Sequence, residues 1–359
     1  MKVNILTQPL FCNYGGILQN YALQQVLIKM GHEPLTINVP TRMPGKSVVW
    51  KDTFKTMRNL MRRWQGAYQY PFLNPHTFSV KEHELSFPQR EFVAKYIRKA
   101  DERAPFTADT CERYPADVWI VGSDQVWRPW CSPYITNCFC DFVPDNVRKI
   151  AYAASFGTDN WEIDSTTTIK ISELGKRFHE ISVREESGVC LSRDVLGLAA
   201  THVLDPTMLL SAEDYLRIIS DEPQGKESYI ATYVLDLNKE KNKAIKRLSL
   251  KYNLPLRKVG RMHRDRFDSV ESWISGIARA ERVITDSFHG TVFSLIFGRP
   301  VKIMGNELRG NTRINSLLSL LKPEPDADGF YTMTSESRSR LADWQKTSLE
   351  FLSRALSSD

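Results

Sequence analysis

The chain has 359 residues, 42% hydrophobic and 25% charged, with 48 Lys and Arg against 42 Asp and Glu for a net charge of +6. That length exceeds a typical single core and suits two domains, and the composition is that of an ordinary soluble protein. The mild positive excess is not the footprint of a dedicated nucleic-acid binder, so no nucleic-acid partner is expected; it suits an enzyme that handles anionic substrates or works beside an anionic surface. No window approaches 18 uninterrupted apolar residues, and the start, MKVNILTQPL, lacks a long apolar segment with a cleavage site, so a cytoplasmic location is expected. The six cysteines read as reduced, mostly packed thiols. Cys131, Cys138 and Cys140 lie close together, but no CxxC pair or neighbouring histidine completes a zinc set, and no metal is expected.

In chain order, residues 3–7 predict a short strand, and Tyr14-Gly15-Gly16 opens an amphipathic helix in which Ile17, Tyr21, Gln24 and Ile28 recur at helical spacing up to Gly31. A second strand is predicted at 35–39. A basic amphipathic insertion follows at about 48–66, with Trp50, Phe54, Met57, Met61 and Trp64 at helical spacing and Lys51, Lys55, Arg58, Arg62 and Arg63 between them. It reads equally as a peripheral contact with an anionic membrane or as a helix packed on its own domain with a solvated basic face. Strands at 117–121, 150–155 and 181–183, alternating with helices, predict a parallel sheet covered on both faces.

The Pro/Gly/charge cluster at 220–226 is the predicted interdomain connection. Beyond it the rhythm restarts: a strand at 229–235, a Lys-rich helix to about 251, a strand at 256–260 and a helix at 270–280. A strand at 283–285, an apolar helix-length run at 291–297 ended by Gly298 and Pro300, a strand at 301–304 and a final helix at 336–356 complete the chain. The expected fold is α/β: a doubly wound domain over 1–220, a second over 221–334, a cleft between them, and a C-terminal helical segment at 335–359.

In open parallel sheets, ligands bind at the carboxyl ends of strands, where loops meet helix N-termini. Three loops carry unusually specific polar groups: Asn13-Tyr14-Gly15-Gly16, Gly122-Ser123-Asp124-Gln125, and Asp286-Ser287-Phe288-His289-Gly290. The third is the most informative. A helix start presents unpaired N–H groups and partial positive charge, a ready anion site, and this turn adds an imidazole and a carboxylate for moving protons near neutral pH. Plainer readings stand beside each: a tight turn for Gly15-Gly16, helix caps for Ser123 and Asp124, a buried hydrogen-bonded imidazole for His289. Gathered at one cleft, Asp124 and His289 lean towards function. Arg184, ending the 181–183 strand, and Arg313, starting a helix, suit bidentate capture of carboxylate or phosphate; for Arg184 the alternative is a surface ion pair with Glu185. The cationic loop at 257–264 reads as an acceptor-phosphate site or as a solvated loop.

The segments NYGGILQNYALQQVL (13–27), DVWIVGSDQVW (117–127), KIAYAASFG (149–157), ISVREESG (181–188), VLDPTMLL (203–210), VITDSFHGTVFSLIFGRP (283–300) and TRINSLL (312–318), in this order, resemble the polysaccharide pyruvyl transferase family. Residues 40–116 contribute nothing to the resemblance. It implies two Rossmann-like domains similar to the GT-B glycosyltransferases, with the C-terminal helix crossing back to the first domain. It also implies transfer of a pyruvyl group from phosphoenolpyruvate, as donor substrate, to hydroxyls of a sugar in a capsule, exopolysaccharide or lipopolysaccharide precursor. The product is a ketal, phosphate is released, and no cofactor is required.

On that chemistry Arg184, Arg313 and the helix start at Gly290 clamp the donor, with Gly290 letting its phosphate approach the backbone. Ser123, Gln125, Asn13, Tyr14, Gly15, Gly16 and Ser287 complete the substrate contacts. His289 protonates the enol carbon, and the base is one of Asp124, Asp205 and Asp286. A lipid-linked acceptor would suit a peripheral enzyme at the inner face of the membrane. Two alternatives remain: a GT-B-type glycosyltransferase with a nucleotide-sugar donor, and a non-catalytic sugar- or nucleotide-binding protein. The His/Asp/Arg set argues against the second, since a pure binder needs no proton donor beside an anion clamp.

Overall fold

Two parallel sheets organise the chain; the computed structural model describes residues 1–40, 57, 85–220, 228–260, 266–305 and 312–357. The first sheet holds β1 (Lys2–Leu6), β2 (Glu33–Asn38), β3 (Lys99–Asp101), β4 (Val118–Val121), β5 (Arg148–Ala154), β6 (Glu180–Val183) and β7 (Thr201–His202). Their spatial order is β3-β2-β1-β4-β5-β6-β7, and every pairing is parallel. Central strands covered on both faces read as unbroken apolar runs, and all of Val-Trp-Ile-Val in β4 is buried. The second sheet runs β9 (Leu256–Lys258), β8 (Ile230–Tyr233), β10 (Arg282–Thr285), β11 (Val301–Ile303), all parallel; beyond them β13 (Phe330–Thr332) and β12 (Glu324–Pro325) add antiparallel. The architecture is α/β with two Rossmann-like sheets, as the alternation of elements predicts.

The helices are α1 (Tyr14–Lys29), α2 (Phe87–Tyr96), α3 (Ala108–Arg113), α4 (Ser165–Gly175), α5 (Glu186–Asp194), α6 (Ala212–Ile218), α7 (Lys239–Tyr252), α8 (Val270–Ala278), α9 (Phe288–Ile296), α10 (Thr312–Leu321) and α11 (Ser335–Leu356). Two differ in kind from their sequence reading. The amphipathic stripe predicted for α1 is only part of what it buries, because every residue from Tyr14 to Gln24 is buried. Its two buried glutamines find partners inside: Gln19 donates to Thr7 Oγ1 (2.8 Å), and Gln24 donates to Thr36 Oγ1 (2.8 Å) and the Arg98 carbonyl (2.7 Å). Helix α9 starts at Phe288 rather than 291, capped by Ser287, whose Oγ accepts from the Gly290 N–H. His289 and Gly290 therefore lie in its first turn and not in the preceding loop.

Helix α11 returns to the first sheet, as the family resemblance implies. Ser348 Oγ accepts from the Leu204 N–H (3.0 Å), Gln345 donates to the Met208 carbonyl (2.6 Å), and the Phe351 ring packs 6.2 Å from that of Tyr152. Elements β3, β7, β12, β13 and α2–α6 carry no periodicity long enough to be read from sequence; β3 has three residues and α3 has six. The basic run at 48–66, apart from Met57, and residues 221–226 of the predicted connection lie outside the described residues. The cationic loop at 257–264 is described only through Gly260; Leu256–Lys258 form the exposed strand β9. No helix among the described residues is long and apolar enough to cross a membrane.

Candidate active site

Each sheet has a point where the chain's direction across it reverses, between β1 and β4 in the first and between β8 and β10 in the second. Crevices open at the carboxyl ends of strands at such points, and here the two meet. Asn13, after β1, and Asp124 and Gln125, after β4, line a cavity of about 70 Å³ from one side. Leu235, after β8, and Asp286, Ser287, Phe288 and His289, after β10, line it from the other, with Arg313 and Ile314 at the start of α10.

The His289 ring is seated on the backbone of the opposite sheet's first helix. A Cβ added to Gly15 would lie 1.9 Å from His289 Nδ1, so only glycine admits the imidazole there. The other ring nitrogen, Nε2, lies 3.8 Å from Asp205 Oδ2, an ion-pair distance too long for a direct hydrogen bond. Gly15→Ala leaves a helical position helical, where alanine is the better helix former, yet pushes a methyl group into the imidazole. Turnover is expected to fall about 100-fold, the scale of a 1 Å misplacement, with secondary structure retained by circular dichroism; unchanged turnover would show that the seat is unimportant.

Behind the cavity Arg184 is fully buried and bridges two carboxylates, donating through Nη2 to Asp124 Oδ1 (2.8 Å) and through Nη1 to Asp205 Oδ2 (2.8 Å). Glu185 Oε2 lies 3.8 Å from its Nε, and its guanidinium carbon stands 5.0 Å over the Phe288 ring, within cation–π range. Burial alone would raise the Asp124 carboxyl, but Arg184, His289 and Arg313 outweigh it and hold it below the usual range. Asp205 is also held below the usual range: burial is opposed first by His289, then by Arg184 and by the Thr207 hydroxyl. Glu185 goes the other way, raised by burial despite Arg184.

The sequence reading expects Arg184 to bind the donor; the structure places it on two aspartates. It does not reach the cavity wall, and its hydrogen-bonding edge faces two aspartates. It is also no surface pair with Glu185, since both side chains are fully buried. Arg313 does line the cavity, 5.8 Å over the other guanidinium's partner ring, Phe288. Burial and the like charge of Arg184 push its guanidinium down to about 10, a cation that an anion would stabilise.

Asp286 is tied to the loop after β8. Its carboxylate accepts from the Leu235 N–H (2.7 Å), the Asp236 N–H (3.1 Å) and Lys241 Nζ (2.7 Å), bracing the loop after β8 across the reversal point. Asp205 is held by Thr207 N–H and hydroxyl (3.0 and 2.6 Å), Ser123 Oγ (3.3 Å) and Arg184. Asp124 lines the cavity at φ +75°, a left-handed conformation that an aspartate tolerates and that recurs at functional sites.

Ser123 is fully buried and donates to the Ala153 carbonyl (2.9 Å). The chain after β4 enters turns rather than a helix, so Ser123 and Asp124 cap none there. Tyr14 stacks on Trp273 (5.5 Å, 9°) and donates to the Asp268 carbonyl (2.7 Å), joining α1 to α8. Gly16 lies over Asn13, a Cβ there standing 3.1 Å from Asn13 Nδ2. A Cβ at Gly290 would stand 2.3 Å from Thr285 Oγ1, so its absence lets α9 close onto β10. Phe288, Glu185 and Lys241 escape sequence reasoning. A phenylalanine inside DSFHG and a lysine in a Lys-rich helix carry no signal of their own, and only the fold brings them to the site.

Residues 13–307 match the model of the family described as polysaccharide pyruvyl transferase. No curated protein matches the chain. Among solved structures, the chain is similar to the S. aureus MnaA–UDP co-structure, with TM-score 0.50 and 9% identity, over 98% of this chain and 90% of that one. It is also similar to UDP-GlcNAc 2-epimerase from Neisseria meningitidis bound to UDP-GlcNAc (TM-score 0.47, 10% identity, 98% and 94% covered). A third is the spinosyn forosaminyltransferase SpnP (TM-score 0.41, 11% identity, 99% and 94% covered). At such identities the likeness concerns the fold alone.

Proposed function

This chain belongs to the polysaccharide pyruvyl transferase family, and from that premise we propose that it transfers a pyruvyl group from phosphoenolpyruvate to hydroxyls of a sugar in a surface-polysaccharide precursor. The observation that carries the reading is the meeting of His289, Asp124 and Arg313 at one small cavity. Phosphoenolpyruvate is compact and dense in negative charge. A polar cavity with a disfavoured guanidinium and the start of α9 on its wall suits such an anion. We assign the phosphate and carboxylate of the donor to Arg313 and the α9 N-terminus. Arg184, Asp205, Ser123, Tyr14 and Gly15 position the machinery rather than touch the donor.

In the reaction His289 protonates the methylene carbon of the enol, leaving an oxocarbenium-like centre at the neighbouring carbon. An acceptor hydroxyl adds there, its proton passing to Asp124, which lines the cavity and, unlike Asp286 beside it, is not braced by backbone donors and a lysine. The C–O bond to phosphate breaks, phosphate leaves with the bonding pair, and a second hydroxyl adds to close the ketal. Of the two hydroxyl protons, one balances the new methyl group and the other departs with phosphate. A carboxylate held low is a weak base, sufficient for a hydroxyl whose proton becomes acidic as its oxygen bonds to the cationic carbon.

Incubating the purified protein with phosphoenolpyruvate and sugar acceptors is expected to release phosphate only when both are present, with a ketal in the product by NMR. Glycosyl transfer from a nucleotide sugar, with no phosphate from phosphoenolpyruvate, would replace this reading with that of a glycosyltransferase.

A further inference from the structure

The turn after β4 carries a tryptophan that the chemistry above does not use. Trp130 is 89% exposed, the most exposed large hydrophobic side chain among the described residues. Single exposed apolar residues are ordinary on protein surfaces, but two observations separate this one from them.

The first is rigidity. Arg128-Pro129-Trp130-Cys131 is a tight turn closed by the Cys131 N–H donating to the Arg128 carbonyl (3.0 Å), with proline at its second position fixing the backbone. Arg128 is held by a two-point pair with Glu162 (3.0 and 3.1 Å) and donates to Gln125 Oε1 (3.1 Å). Gln8 ties the turn's two ends, donating to the Gln125 carbonyl (3.0 Å) and Ser132 Oγ (2.9 Å). Just before it, Trp127 is fully buried and stacked on Phe139 (4.8 Å, 12°). One tryptophan anchors the loop and the other is held out into solvent.

The second is place. Gln125, to which Arg128 is bonded, lines the cavity. The flanking Cys131 thiol is within electrostatic reach of Asp124 and Arg313, and Arg128 acts on the Arg313 guanidinium. Through the Arg128–Gln125 bond the turn adjoins the cavity lining next to Asp124.

We propose that Trp130 is the platform of an acceptor subsite, stacking on the C–H face of the sugar ring whose hydroxyls are pyruvylated or of its neighbour in the glycan. A pyranose presents an apolar C–H face and polar edges, and an exposed indole on a hydrogen-bonded turn beside a polar site matches that pattern. The assignment rests on the sugar-acceptor reading above. Membrane insertion of the same side chain is the competing occupant.

The test uses the full chain with p-nitrophenyl β-glucoside, β-galactoside and β-mannoside as probes, read by saturation-transfer NMR, and phosphoenolpyruvate, read by thermal shift. Wild type is expected to bind at least one glycoside through its ring C–H protons. Trp130→Ala should bind it about tenfold more weakly, the loss of about 1.4 kcal/mol, and Trp130→Phe within about threefold of wild type. Phosphoenolpyruvate should shift the melting of wild type and both variants alike. Glycoside binding equal in Trp130→Ala and wild type overturns the subsite, as does binding of none of the three probes. A Trp130-dependent loss of sedimentation with anionic vesicles, without change in glycoside binding, assigns the residue to a membrane instead. Absence of any phosphoenolpyruvate shift in wild type counts against the functional reading and leaves the glycoside result to decide the subsite.

Discussion

His289→Ala is expected to lower phosphate release from phosphoenolpyruvate by about 10²–10⁴-fold, the share that a positioned acid supplies, in a protein that remains folded by circular dichroism. The fold should survive because the ring sits between the two sheets' loops and not within a hydrophobic core. Asp205, its neighbour at 3.8 Å, keeps Arg184, Ser123 and Thr207 as partners when the imidazole is gone. His289→Gln, which keeps size and polarity without a titrating ring, should be equally inactive. Near-normal turnover in either variant would remove the histidine from the proton step. Set beside Gly15→Ala, the pair separates loss of the group from loss of its position.

Replacing Arg184 is expected to act on stability before it acts on binding. Removing a guanidinium that bridges two buried carboxylates leaves both charges uncompensated, a loss of about 3–5 kcal/mol. Arg184→Met should therefore shift denaturant unfolding to markedly lower concentration. Arg184→Lys should recover only part, because an ammonium cannot reproduce two parallel donors held in one plane. The triple variant Arg184→Met, Asp124→Asn, Asp205→Asn should be more stable than Arg184→Met alone, since it removes the stranded charges with their partner. If Arg184→Met unfolds as wild type does and only its donor affinity falls, the guanidinium is a ligand after all.

The same pair sets an acid limit. Asp124 and Asp205 have folded-state pKa values below the usual carboxylate range, so their contribution is complete above an unfolded pKa of about 3.9. It is lost as pH falls from there towards the depressed values. Wild-type stability should fall through that acid window and the fall should be shallower in the triple variant.

How far the site was legible follows from where each residue's partners lie along the chain. The strand-turn-helix pattern around 283–297 is a local signal: β-branched residues, then a small polar turn, then an apolar run. It points to Asp286–Gly290 without any knowledge of the fold, and seven of the residues it and its two companion loops single out, Asn13, Asp124, Gln125, Asp286, Ser287, Phe288 and His289, line the cavity. Even there the helix start was displaced, because a serine cap three residues upstream recruits Phe288 and His289 into the first turn.

Roles, in contrast, depended on partners far away in sequence. Arg184 reads as a cation at a strand end; only β6 running beside β5 and β7 brings Asp124 and Asp205 to its two nitrogens and turns a ligand into a brace. Asp286 reads as a base until the loop after β8 and Lys241 fill its lone pairs. Gly15 and Gly290 read as turn or phosphate glycines, whereas one makes room for an imidazole from the other sheet and the other for a threonine on its own.

By itself, then, the amino-acid sequence determined the alternation of strands and helices, the family, and which loops carry polar chemistry, because hydrophobic period and local turn chemistry act over a few residues. Tertiary structure alone decided which charges cancel, which carboxylates line the cavity, and where the histidine is seated. Those outcomes are set by Coulomb energy and steric contact across distances of 3–4 Å between residues that can be more than 200 positions apart.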